Sequence, residues 1–223
     1  MNMNRRFMIH TTRSVLLVGS LFVASGLSVT PIVSAAHAAS NTNESAATTP
    51  IQGLYAALQK AETDGDSADK RSTIIGPAVD QAFDLSAILR RSIGLRFDHL
   101  SADERSQLLA AFQRFTAAHY ASTFKPGTDA VFMVSPTTKK NSTGGTVVHT
   151  TIRGKADPVS DATSIDYVMS QTPQGWRIID ILLNGHISQV AVQRSDFRAI
   201  FGQSGASGLT KNLTQKADDF LHE

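Results

Sequence analysis

The sequence predicts an α+β fold: a helical N-terminal half, a four-stranded antiparallel curved sheet, then C-terminal helices. Three observations carry this. Apolar residues recur at helical spacing up to about residue 123. Four segments rich in β-branched residues, joined by short polar turns, occupy residues 130–183. Helical spacing resumes after Ser188. Short strand connections imply an antiparallel meander, folded over the helices as a second layer.

An export pattern precedes the fold. Arg5, Arg6 and Arg13 flank an apolar run over 15–29, and Ala36-His37-Ala38 comes after it. The run is 15 residues long, interrupted by Ser20, Ser25 and Gly26, and a bilayer span needs about 20. Residues 1–38 therefore read as a signal peptide cleaved near Ala38. Arg5-Arg6 hints at twin-arginine export, but its flanks fit poorly, and the general secretory route is expected. Residues 39–50 are rich in Ser, Thr, Asn and Ala without periodicity, the pattern of a disordered linker. One domain is expected over 51–222.

Leu54, Tyr55 and Leu58 form a stripe on a first helix over 51–61, ended by Gly65, and a second short helix is expected over 67–75. Asp84 suits the N-cap of a third, with Leu85, Ile88, Leu89 and Ile93 at helical spacing and Gly94 as its stop. Ser101 and Glu104 make a capping-box pair, so a long helix begins there. Its inward stripe is Leu108, Phe112, Phe115 and His119, with Leu109, Thr116 and Tyr120 alongside. Pro126-Gly127 ends it.

The strands are expected over 130–136, 146–154, 163–172 and 176–183, with residues 139–145 as a polar hairpin loop. The fourth strand organises the C-terminal part of the chain. Trp176, Ile178 and Leu182 alternate with Ile179, Ile181 and Leu183, so it is apolar on both sides and should be covered on both faces. Asn184-Gly185 breaks the pattern as a tight turn. Beyond Ser188, Val190, Arg194, Phe197 and Phe201 fall on one helical face. Residues 202–208 should separate that helix from a last one over 209–221.

Composition narrows function. Hydrophobic residues make up 41% and charged ones 18%, which suits a globular domain. Three of the 21 basic residues precede residue 39 and none of the 19 acidic ones does. The remainder carries 18 basic against 19 acidic residues, so a general electrostatic attraction to nucleic acid or to an anionic membrane has no support. There is no cysteine, which excludes disulfides, thiolate catalysis and a lipidated N-terminal cysteine. No histidine has a partner at metal-ligand spacing, so no metal and no cofactor is expected. His149 shares a strand face with Val147 and Thr151, and a cross-strand hydrogen bond accounts for it. The glycines at 202, 205 and 208 match neither a nucleophile elbow nor a phosphate loop.

Asp180 lies mid-strand among Ile178, Ile179, Ile181 and Leu182, where an unpaired carboxylate is costly. It is either a structural partner of an arginine or of backbone amides, with Arg194 the candidate, or a general base in an apolar cone.

Several separated motifs carry a family resemblance. Trp176-x-Ile178-x-Asp180-(x)4-Gly185, then Ile187-Ser188, then Arg194-Ser195-x-Phe197, resembles the signature of the MlaC-type (toluene tolerance) periplasmic phospholipid-binding proteins. Residues 185–197 are similar to the hopanoid-associated HpnM branch. Further matches lie at Phe83-Asp84, at Leu100-Ser101, and along Phe112, Phe115, Tyr120-Ala121 and Phe124. Ile93-Gly94-Leu95-Arg96-Phe97 stands where the family shows Leu-Gly-x-x-Trp, and Phe for Trp keeps the bulk while dropping an N–H donor.

The resemblance implies an NTF2-like cone with an apolar cavity, acting as a periplasmic carrier of a lipid, phospholipid or hopanoid. The lipid would be exchanged with membrane ABC-transporter or MCE-type components. The candidate lining is Leu89, Phe112, Phe115, Tyr120, Phe132, Ile165, Tyr167, Met169, Ile179, Ile181, Leu183 and Phe197, with Asp180 and Arg194 as structural polar residues. Periodicity does not separate a cavity from a filled core. An envelope enzyme of isomerase or dehydratase type using Asp180, or a non-lipid envelope scaffold, stay as alternatives.

Overall fold

The computed structural model describes the backbone of residues 34–141 and 144–222, with side chains from residue 46. The expected signal segment before Ser34 lies outside the described residues. Four helices come first: α1 (Ser34–Asp64), α2 (Ala68–Ala82), α3 (Leu85–Ile93) and α4 (Ala102–Thr123), with a 3-10 turn (Gly94–His99) between the last two. A meander comes next, of β1 (Ala130–Lys140), β2 (Thr146–Gly154), β3 (Thr163–Thr172), β4 (Gly175–Leu183) and β5 (Ile187–Ser188), and α5 (Gln189–Leu221) ends the chain.

The helix starts obey local chemistry. Asp84 accepts the Ala87 N–H at 2.8 Å. Ser101 accepts the Glu104 N–H at 3.2 Å while Glu104 Oε2 accepts the Ser101 N–H at 2.9 Å, a complete capping box. The buried Arg71 locks the helical layer, donating to Ala121 O at 2.8 Å and Gly65 O at 3.1 Å. Its guanidinium thus satisfies carbonyls at the ends of α1 and α4.

Several expectations are corrected. α1 does not begin at residue 51. It runs through the stretch expected as a linker, with Pro50 inside it and Ala47 and Thr48 buried. α2 passes Gly76 and Pro77 and reaches Ala82, because Val79 and Ala82 pack into the core beyond the proline as Ile75 does before it. α5 is broken at a single residue, Gly205 (φ 62°, ψ −162°), and not over the whole of 202–208. β1 extends beyond Pro136 to Lys140; its ladder shifts register between Val134 and Thr138, and an edge strand with such an irregularity tolerates proline.

The sheet has five strands in the order β1-β2-β3-β4-β5, not four. Asn184 (φ 51°) and Gly185 (φ 75°) adopt the left-handed conformation of a hairpin turn, so Ile187 and Ser188 fold back to pair with Leu183 and Leu182.

β4 departs from simple alternation in the most consequential way. Met169 pairs with Ile178 but Val168 pairs with Asp180, which makes Ile179 a bulge. Residues opposite one another in a ladder share a face. The inner face therefore takes Ile178, then Ile181 and Leu183, opposite Met169, Tyr167 and Ile165. One switch of phase explains why both alternating sets in this strand are apolar. The expected cover on both sides is not what they reflect, since Leu182 and Val168 remain half-exposed on the other face. His149 is on that face too, with Nδ1 2.6 Å from Asp166 Oδ1, as its cross-strand position predicts.

Candidate functional site

Between the inner sheet face and the helices lies an apolar pocket of about 290 Å³. Its deep part is built from Tyr55 and Leu58 of α1, Phe83 before α3, Leu85 and Ile88 of α3, Phe112 of α4 and Tyr167 of β3. These positions are buried because α1 packs on β1 and β4 while α4, held by α2 and α5, turns its apolar stripe inward. Ile152, Ile165, Ile181 and Leu183 supply the sheet wall. Thr116, His119 and Thr123 of α4, with Gln189 and Gln193 of α5, form a polar rim that is half-buried to exposed.

All three tyrosines of the chain meet inside. Tyr55 Oη lies 2.8 Å from Thr150 Oγ1 and donates to Tyr167 Oη at 3.1 Å, and Tyr120 hydrogen-bonds Tyr167. Thr150 donates onward to Ile165 O at 2.9 Å. Burial pushes all three phenols above their ordinary range, most strongly Tyr167, where the neighbouring Tyr120 and Tyr55 add to it. The pocket thus offers hydroxyls and hydrocarbon and holds its phenols neutral.

Seven of the twelve expected lining residues come together here: Phe112, Phe115, Tyr120, Ile165, Tyr167, Ile181 and Leu183. The other five do not line the pocket. Leu89, Met169 and Phe197 are buried in the packed core, where Phe197 meets Phe112 edge-on at 5.8 Å. Phe132 stands behind Tyr55, stacked on it at 4.4 Å. Ile179 is the bulge residue, and Ile178 takes its place on the inner face. Tyr55, Leu58, Phe83, Leu85, Ile88, Phe124 and Val190 were legible as apolar stripe or motif positions, yet nothing local marked them as pocket-facing. His119, placed on the inward stripe of α4 by spacing, is exposed at the rim, 5.0 Å from the Phe220 ring.

Asp180 is anchored rather than free. Its Oδ1 accepts the Ile181 N–H at 2.8 Å and the Val190 N–H at 3.2 Å, and its Oδ2 accepts Ser188 Oγ–H at 2.6 Å. The bulge brings this carboxylate onto the start of α5, where a negative charge is favoured. Among the described residues Arg194 makes no ion pair with it; that side chain is exposed, and Gln193 occupies the pocket side of α5 instead. No group of three or more metal-ligating side chains occurs among the described residues.

The architecture is matched at family level. The MlaC protein family model covers residues 49–215. The chain belongs to the MlaC family. A solved structure of a phospholipid-binding protein from Ralstonia solanacearum, in complex with a phospholipid, has the same fold. It superposes with a TM-score of 0.63 at 15% identity, over 78% of this chain and 98% of that one. No curated protein matches this MlaC-family chain in sequence. Among its described residues no helix is long and apolar enough to cross a membrane.

Proposed function

We propose that this MlaC-family protein is a periplasmic lipid carrier that seats an acyl chain of a phospholipid in the pocket behind the Thr116–Gln193 rim. The single observation that carries the reading is an apolar pocket with every tyrosine of the chain turned into it and held uncharged, where the one carboxylate of the lining, Asp180, is already bonded to Ser188 and backbone amides. At about 30 Å³ for a water-sized group, 290 Å³ takes about ten methylenes of one tail. Their burial contributes about 8 kcal/mol before the costs of association. Affinity then comes from desolvation, and the head group stays at the polar rim. The phospholipid bound by the Ralstonia solanacearum structural relative supports this cargo. A hopanoid is the second candidate, supported by the sequence over 185–197.

Such a carrier would exchange lipid with a membrane ABC-type or MCE-type transport system. Asp180, with both oxygens occupied by Ser188 and backbone amides, is assigned the structural role rather than that of a base. Native mass spectrometry of the mature protein, followed by extraction, tests the proposal. A phospholipid adduct is expected. Protein that is lipid-free after gentle isolation and takes up no phospholipid from vesicles would refute it.

A further inference from the structure

Five arginines gather where α3, the 3-10 turn and α5 meet: Arg90, Arg91, Arg96, Arg194 and Arg198 line two adjoining clefts there. All five are exposed. Beyond residue 38 the chain has ten arginines and eight lysines, and this face takes half of the arginines and none of the lysines. Asp98 pairs with Arg90 at 2.9 Å, and Asp180 is already bonded to Ser188 and Val190. Among the described residues Arg91, Arg96, Arg194 and Arg198 make no ion pair. Leu95 lines both clefts and is 76% exposed, an apolar side chain ringed by cations. It sits beside Gly94 (φ 75°), where a Cβ would lie 3.4 Å from Arg198 Nη2, so the turn and the α5 arginine approach closely.

We propose that this face docks the protein on an anionic phospholipid membrane, with the guanidiniums on head-group phosphates and Leu95 entering the interface. Guanidinium forks match phosphate oxygens in pairs, and four unpaired forks around one exposed leucine form the amphipathic pattern of an interfacial contact. The rest of the chain beyond residue 38 carries thirteen basic against seventeen acidic residues, so an anionic surface attracts this face and repels the others. Val190 and Asp180 line both the arginine cleft and the lipid pocket, which puts the docked bilayer one layer of side chains from the cargo. The inference deepens the carrier reading and rests on it for its purpose, though docking is measured separately.

The experiment is co-sedimentation of the mature protein with phosphatidylcholine vesicles, with and without phosphatidylglycerol. Binding to the anionic vesicles alone is expected, declining steeply with salt. R91A/R194A/R198A should weaken it about a hundredfold, at about fivefold for each arginine. L95A should weaken it by a smaller, salt-independent factor. The lipid content of each preparation is measured alongside. A triple variant that keeps its lipid and melting temperature but leaves the vesicles supports docking. Wild-type protein that ignores anionic vesicles at low salt, or a triple variant that binds as well as wild type, overturns it. Absence of lipid in the wild type counts against the pocket and leaves the vesicle result readable.

Discussion

Filling the pocket without touching the core is the sharpest perturbation of the proposed site. Ile181 lines the pocket and faces Tyr167 across the β3–β4 ladder, while Met169, one pair further along, is 3% exposed within the packed core. Ile181→Trp adds six side-chain heavy atoms to a space of about 290 Å³, displacing about two methylenes of a tail at about 30 Å³ each. At about 0.8 kcal/mol each this removes about 1.6 kcal/mol, a little over tenfold in lipid affinity. Met169→Trp has no void to enter, so overpacking should cost about 1–3 kcal/mol of stability, or a melting temperature lowered by about 2–12 °C. The assay is retained lipid by native mass spectrometry, with melting of both variants after delipidation, since bound ligand raises the midpoint by itself. The expected result is a lipid-depleted, stable Ile181→Trp beside a destabilised Met169→Trp that still binds. If Ile181→Trp melts as low as Met169→Trp, or keeps its lipid, the pocket does not accept a tail and the reasoning fails.

Four further outcomes rest on individual contacts. Asp180→Asn removes the charge that holds Ser188 and the Val190 N–H, so urea unfolding should show a loss of about 1.5–3 kcal/mol with lipid still bound. Arg71→Met strands the Ala121 and Gly65 carbonyls and should cost about 2–4 kcal/mol in the same measurement. Gly205→Ala has open space around its Cβ yet forces φ 62°, ψ −162° on an alanine; a loss of about 1–3 kcal/mol is expected, and an unchanged midpoint would show that α5 straightens. The three phenols titrate above their unfolded value of about 10, so the folded state keeps protons that the unfolded chain releases, and stability falls as pH rises past about 10. Absorbance and circular dichroism tracked together should show tyrosine ionisation coinciding with alkaline unfolding. A phenol that ionises near 10 in folded protein would contradict the burial.

Local chemistry alone determined much of this protein. The Asp84 cap, the Ser101–Glu104 capping box, the Asn184-Gly185 turn and the period-3.6 and period-2 patterns specify their elements through nearest neighbours, so they are readable without the fold. The family motifs reach the same level, since they are short runs of residues. Only the tertiary structure decided which apolar residues enclose space. Ile181 and Met169 are alike in the sequence, both apolar and both on strands, and differ because the packed layers leave a gap over Ile181 and close over Met169. Spacing made Arg194 a candidate partner of Asp180 and put His119 on the inward stripe of α4, but both side chains end exposed, and Asp180 takes Ser188 and backbone amides instead. Arg71 was unreadable for the same reason: its two acceptors lie 6 and 50 residues away, and only the meeting of helix ends brings them to one guanidinium. Burial, voids and partners separated along the chain are properties of the packed layers, which local propensity does not encode.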